Sequence, residues 1–318
     1  EIGVRLVGSE MCIRDRLYTA YFVIEMSVTH TIKFCMDLKL LKDALKYSIP
    51  IMPHNLSTQI ALFVSKLLIS DVGSLADLGV YSVATQFGNI ADTIQCYVDS
   101  AYGPWLYERL HNKENKYKKT IRQNVKLLIA VIGLFFVGIS LFAQDYIVLF
   151  LQKSYVGAWM YVPMIVSVFA IKTTYYFYVE ILFYYKEASR KLFIATLTGS
   201  VLNILLSAIF IPIWSVYGSI LADAIAMLVR VIIVVAISRK YEDVGLRIRD
   251  FVINFVIIEL FIFMGLILSI MKYQTTFSIF NFGYKIVVAF LYVIMIFVMN
   301  RESAMVLLAN FKEKRKKK

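Results

Sequence analysis

Long apolar runs, separated by short polar joints, fill most of this chain. A helix needs about 20 mostly apolar residues to cross a bilayer. Eight stretches meet or approach that length: residues 47–70, 79–106, 127–143, 159–185, 192–211, 216–238, 251–271 and 286–299. The last is short, and a start near Phe282 would lengthen it. No charged residue lies between Lys191 and Asp223. That interval holds one helix, a turn at Ile211-Pro212-Ile213 and the beginning of the next. Pro50 and Pro53 are expected to bend the first span, because proline cannot continue helical hydrogen bonding. Backbone groups in lipid must be satisfied within the segment, which excludes an open sheet and predicts an all-α polytopic membrane protein.

The charges then orient the spans. Of the 34 Lys and Arg, 25 fall in segments 33–46, 109–126, 186–191, 239–249 and 301–318, while the alternating joints hold only Lys153, Lys272 and Lys285. This is the positive-inside pattern, which predicts a multi-pass protein of the bacterial inner membrane with a cytoplasmic C-terminus. With 59% hydrophobic and 18% charged residues, the net charge of +12 belongs to the loops and does not indicate nucleic acid. Lys118, Lys119 and the lysines of the tail meet anionic lipid headgroups or fix orientation. Cys12, Cys35 and Cys96, and His30, His54 and His111, lack metal-ligand spacing, so no metal, cofactor or disulfide framework is expected.

The chain begins without Met, and residues 4–16 resemble translated sequencing-adapter read-through, so residues 1–16 are read as a non-native leader. Residues 17–28 are apolar but too short to span. Residues 17–46 are therefore expected to hold the stump of an upstream helix and a cytoplasmic linker. The later divisions are 47–238, 239–300 with two further spans, and a basic tail, 301–318.

Ionisable residues at membrane depth are costly and mark function. Within the spans they are Lys66, Lys172, Arg230, Asp92, Asp99, Glu180, Asp223 and Glu259. Thr85, Asn89, Asp92, Cys96, Asp99 and Gly103 recur at helical spacing and form one polar or small face. Asn55, Gln59 and Lys66 fall within about 40° of one another on the preceding span. Lys172 sits mid-span, and Glu180 is ~12 Å further along the axis, too far for a direct pair. Two readings stand. Lys66, Lys172, Asn55, Gln59 and Asn89 line a substrate cavity, with Asp92, Asp99 and Glu180 as ion-coupling groups or counter-charges. Alternatively, Lys172 pairs with Asp92 or Asp99 merely to fix helix packing. Arg230 with Asp223, Glu259, and the Thr196, Gly199, Ser200, Asn203, Ser207 face read as packing features. The tyrosines around Tyr175–Tyr178 and Tyr184-Tyr185 read as packing plus an interfacial belt, or as a wall for sugar rings.

Several motifs carry a resemblance. Leu45-Lys46-Tyr47-Ser48-Ile49-Pro50-Ile51-Met52-Pro53-His54, then Lys66, then Leu78-Gly79-Val80-Tyr81-Ser82-Val83-Ala84, then Ala101-Tyr102-Gly103-Pro104-Trp105-Leu106-Tyr107-Glu108 stand in order. Asn203 to Pro212, followed by Gly218 and Ala222, completes the set. Over about residues 38–240 the chain resembles the Wzx-like O-antigen and exopolysaccharide flippases of the multidrug/oligosaccharidyl-lipid/polysaccharide exporter superfamily. It departs from them at Lys66, where Arg is usual, and at Ser207, where a second Asn is usual. The resemblance implies two six-helix lobes around a cavity. Residues 47–238 would be the second lobe, 239–300 two additional helices, and the chain a fragment.

The function so implied is translocation of undecaprenyl-diphosphate-linked oligosaccharide for O-antigen, capsule or exopolysaccharide assembly. Partners would be the lipid-linked substrate, membrane lipids and polysaccharide assembly proteins. Lys66 and Lys172 would meet the diphosphate or acidic sugars. The alternatives are a drug antiporter or peptidoglycan-precursor flippase of the same superfamily and, from another class, a membrane polymerase or ligase. The outer joint at 144–157 has one Asp, one Lys and no His, which gives an enzyme little to work with, so no catalytic residue is assigned.

Overall fold

In the computed structural model, residues 18–25, 38, 39, 41, 42, 45, 52–112 and 116–301 are described, without the side chains of 52–58, 186, 187, 189 and 190. The expected leader, most of the linker and nearly all of the basic tail lie outside the described residues. The chain divides into two units, 1–49 and 50–318. In the first, the described residues are helical.

The second unit is helical. Helix α1 is Met52–Val72, α2 Leu75–Asn112 and α3 Tyr117–Phe150. A 3-10 segment, Lys153–Met160, leads into α4, Tyr161–Tyr184. Then come α5, Lys186–Tyr241, α6, Ile248–Met271, and α7, Ile279–Met299. Pro53 was expected to bend the first span. It falls instead in the first turn of α1, where the missing N–H has no intrahelical partner to lose. A reciprocal cap starts α2. Ser74 Oγ and backbone N both donate to Asp77 Oδ2, and the Asp77 N–H returns to Ser74 Oγ at 3.1 Å.

Helix α5 is two spans. Ser215 (φ 49, ψ −123) breaks it, and the residues on either side fold back antiparallel. Asn203 meets Asp223, Ser200 meets Arg230, and Gly218 lies against the Phe210 carbonyl. The fifth and sixth predicted spans are therefore distinct, but the break is at Ser215, and the expected turn residues Ile211-Pro212-Ile213 are helical. Only a residue without a Cβ fits at Gly218, so tightly do the halves meet.

Five described segments are long and apolar enough to cross a membrane: Tyr117–Phe150, Lys153–Tyr184, Lys191–Tyr241, Ile248–Met271 and Ile279–Met299. They carry the third to eighth predicted spans. Helices α1 and α2, which carry the first two, are long enough but less apolar, because polar faces run along them. The sequence reading placed a loop at 144–157. In fact α3 continues to Phe150, since Gln144, Asp145 and Ile147 are buried against neighbouring helices.

Helix α4 packs between the α5 hairpin and α2, and α1 lies on α5. Helix α3 contacts α2 and α4 on one side and α6 and α7 on the other. Helices α1 and α2 touch only sparingly, so a gap opens between them over α4 and α5. At Gly88 an added Cβ would stand 2.6 Å from Ile165, which shows how closely α2 and α4 approach. Gly133 of α3 plays the same part against Tyr292 and Ile258. Gly133→Ala should therefore lower stability by about 1–3 kcal/mol through overpacking, seen as a lower thermal midpoint of the detergent-solubilised protein. An unchanged midpoint would contradict this packing.

At the end of the bundle where α3 starts, Asp250 accepts Arg122 Nε at 2.6 Å and pairs with Lys126 at 3.2 Å.

Candidate functional site

The gap between α1 and α2 is a cavity of about 850 Å³. Helix α1 contributes Gln59 and Lys66, α2 contributes Thr85, Asn89 and Asp92, and α4 contributes Lys172, Tyr175 and Tyr176. Asn203, Asp223 and Arg230 complete it from the α5 hairpin. Five of the predicted site residues, Gln59, Lys66, Asn89, Asp92 and Lys172, thus share one chamber. Asn55 is on α1, but its side chain lies outside the described residues.

Lys172 Nζ donates to Asp92 Oδ1 at 2.7 Å, and Tyr176 Oη donates to the same oxygen at 3.0 Å. The ammonium also lies 5.3 Å and 5.1 Å from the ring centroids of Phe169 and Tyr176, close enough for cation–π attraction. The side chains of Lys172 and Asp92 remain 20% and 31% exposed, so the pair forms part of the cavity wall. Both sequence readings of Lys172 therefore contain something of the geometry: it has an acidic partner, and it faces the chamber.

Across the chamber, Asn203 Nδ2 donates to Asp223 Oδ1 and Arg230 Nη2 to Ser200 Oγ at 3.3 Å. Gly199 leaves room for the guanidinium, since an added Cβ would stand 2.5 Å from Arg230 Nε. Ser65 and Ser207 tie α1 to α5 through a 3.2 Å hydroxyl contact. The sequence reading treated Asn203, Asp223 and Arg230 as packing features, yet they also line the cavity. The signal was available in their spacing: positions equidistant from a turn near 215 must face each other. Arg230 adds a third cation to Lys66 and Lys172.

Asp99 and Glu180 do not line this chamber. Glu180 is buried at the α2–α4 contact, where Tyr107 donates to it and its carboxylate rests on Gly103. A second charged pair was missed altogether. Lys285, assigned above to an outer loop, is fully buried on α7 and bonds Asp145 Oδ2 at 2.7 Å and Gln144 Oε1 at 2.8 Å. Asn281, Lys285, Val288 and Tyr292 form one buried face at helical spacing, a pattern legible in the sequence once α7 starts at Ile279.

The described helices thus form a polytopic bundle with a charged, amide-lined chamber. Residues 15–160 match a family described as polysaccharide biosynthesis protein. The fold matches the lipid II flippase MurJ in its inward closed conformation, with a TM-score of 0.56 and 18% identity. The match covers 86% of this chain and 57% of MurJ, so the chain spans little more than half of that flippase. No curated protein sequence matches the chain. The all-α membrane fold expected from the sequence therefore holds: the chain is a multi-pass helical membrane protein with a MurJ-like fold, similar over residues 15–160 to the polysaccharide biosynthesis family.

Proposed function

We propose that this chain is the second lobe, with two additional helices, of a flippase. It would carry undecaprenyl-diphosphate-linked oligosaccharide across the bacterial inner membrane for O-antigen, capsule or exopolysaccharide assembly. The observation that carries the reading is the cavity: Lys66, Lys172 and Arg230 supply cations for a diphosphate, and Gln59, Asn89 and Asn203 supply amides for sugar hydroxyls. Such groups replace hydration water around a polar headgroup that lipid would otherwise exclude. Tyr175 and Tyr176 offer ring faces beside them. Fused to an intact first lobe from a related flippase, the chain should restore surface polysaccharide to a strain lacking its own repeat-unit flippase. Failure of a fusion that reaches the membrane would contradict the reading.

The MurJ-like fold favours a second reading, transport of the peptidoglycan precursor. Rescue of a strain depleted of its lipid II flippase by the same fusion, without rescue of the polysaccharide strain, would select it.

The orientation belongs to the same proposal. The basic groove of about 720 Å³ formed by Lys118, Lys119, Arg122, Arg239 and Arg247 would face the cytoplasm, beside anionic headgroups. With the native cysteines replaced by Ser, a Cys at the exposed Asn112 should be protected from an impermeant thiol reagent in intact cells. One at the exposed Ser154 should react. The opposite labelling would reverse the topology.

A further inference from the structure

The cations of the chamber differ in what already neutralises them. Lys172 has Asp92 at 2.7 Å and two aromatic rings beside it. Lys66 is exposed, so water can surround its ammonium. Arg230 has neither. It is 9% exposed and forms no ion pair among the described residues. Its Nη2 reaches Ser200 Oγ at 3.3 Å, longer than the ~2.9–3.0 Å of most such bonds. Its Nε is buried against Gly199 and has no hydrogen-bond partner. Asp223, seven residues earlier on the same half of α5, stands ~10 Å away along the axis and accepts from Asn203 instead.

A buried charge without a partner is costly at membrane depth. The hairpin nevertheless makes a place for this one. Gly199 gives up a Cβ that would stand 2.5 Å from Nε, and Ser200 holds the guanidinium from the facing half of α5. The notch keeps the group at the cavity wall. Packing alone does not call for a charge there, whereas an anion entering the chamber does. A guanidinium presents a planar fork that suits phosphate oxygens.

Lys172 offers a harder bond to make. An anion that takes its ammonium must first part it from Asp92, which Tyr176 steadies with a bond of 3.0 Å. One charged contact is lost for each one gained.

We propose that the chamber holds two unequal seats for phosphate oxygens. Arg230 is an open seat that fills first. Lys172 is a latched seat, closed by Asp92 until a second phosphate displaces that carboxylate. The inference rests on the flippase reading for the identity of the ligand and adds an order of engagement to it. A single phosphate uses Arg230 alone, while a diphosphate spans both seats and ties the α5 hairpin to α4. Asp92 thereby limits how tightly the headgroup is held.

The probes are inorganic phosphate and pyrophosphate, titrated calorimetrically onto the purified chain in nanodiscs of zwitterionic lipid. Arg230→Gln should weaken both by roughly tenfold or more, and Arg230→Lys should retain part of the binding. Lys172→Gln should weaken pyrophosphate by a similar factor and leave phosphate near wild type. Asp92→Asn should strengthen pyrophosphate about two- to fivefold, and phosphate less. Without ligand, Arg230→Gln should unfold at a temperature no lower than wild type, because it removes a buried charge that nothing in the lobe pairs. A lower midpoint, failure to fold, or phosphate binding that survives the substitution would overturn the open seat. Phosphate binding lost equally in Lys172→Gln, or pyrophosphate weakened by Asp92→Asn, would overturn the latch. Absence of pyrophosphate binding by wild type would overturn both seats. The source of the phosphate is read separately: an undecaprenyl-diphosphate oligosaccharide should displace pyrophosphate from wild type. If the small anions behave as expected and the lipid does not displace them, the seats stand as sites for free phosphate and the flippase reading fails.

Discussion

Lys172→Gln is expected to abolish most export while leaving membrane abundance near wild type. Lys172 sits on the chamber wall with Asp92 as its partner, and both side chains keep contact with the cavity. A diphosphate entering the chamber would find the ammonium already desolvated on one side by Phe169 and Tyr176. Hydrogen bonds to charged groups contribute about 1.5–3 kcal/mol, which corresponds to roughly a ten- to hundredfold loss of substrate affinity. The partner explains why abundance should hold: Asp92 is left facing a wet cavity, where an unpaired carboxylate can be hydrated. Adding Asp92→Asn should therefore not restore export. If Lys172 served only to fix packing, the single variant would lower protein level and the double variant would recover it, because stranding one member of a buried pair costs more than removing both. Lys172→Arg should retain part of the export. Measuring surface polysaccharide and membrane abundance together separates the two cases.

The Lys285–Asp145 pair should behave in the opposite way. Its side chains are 0% and 5% exposed, so the pair is buried in protein, unlike Lys172 and Asp92. Gln144 accepts from Lys285 as well, and Asn281 reaches Gln144 and Ser269, so a polar knot joins α3, α6 and α7. Lys285→Met leaves Asp145 charged and buried and should cost about 3–5 kcal/mol. Lys285→Met with Asp145→Leu removes both charges and should recover most of that loss. Thermal unfolding of the detergent-solubilised variants checks this. A single variant as stable as wild type would mean that water reaches Asp145. Export, where the double variant folds, should be little changed, since neither residue lines the cavity.

These two pairs also show what a sequence can and cannot reveal. Spans were legible because a bilayer demands long apolar runs, and a hairpin followed from an uncharged interval too long for one crossing, although its turn was expected at Ile211-Pro212-Ile213 and lies at Ser215. Lys172 was legible because a lysine at mid-span admits few explanations. Lys285 was not, because an apolar run was taken to start after it. The charge looked like a boundary when it is in fact a buried side chain on the second turn of α7. The continuation of α3 through Gln144 and Asp145 was hidden for the same reason: polar residues near the end of a span read as loop until their partners on another helix are known. Asn203, Asp223 and Arg230 were seen as polar but not as part of the cavity wall, since that depends on how the two halves of α5 face α2 and α4. The division of the acids was equally out of reach. Asp92 and Asp99 share one helical face, yet the first looks into the chamber and the second into the α2–α4 contact. Glu180 lies over Gly103, one turn from Asp99, whereas Lys172 and Tyr176 hold Asp92 at the cavity wall.

The central claim is that the cavity recognises a lipid-linked diphosphate headgroup through its cations. Its most direct test is equilibrium binding of an undecaprenyl-diphosphate oligosaccharide to the purified chain in nanodiscs, comparing wild type with Lys172→Gln and Lys285→Met/Asp145→Leu. The account predicts saturable binding by wild type, a loss of roughly tenfold or more in affinity for Lys172→Gln, and little change in the double variant. Equal affinity of wild type and Lys172→Gln for the same lipid would contradict it.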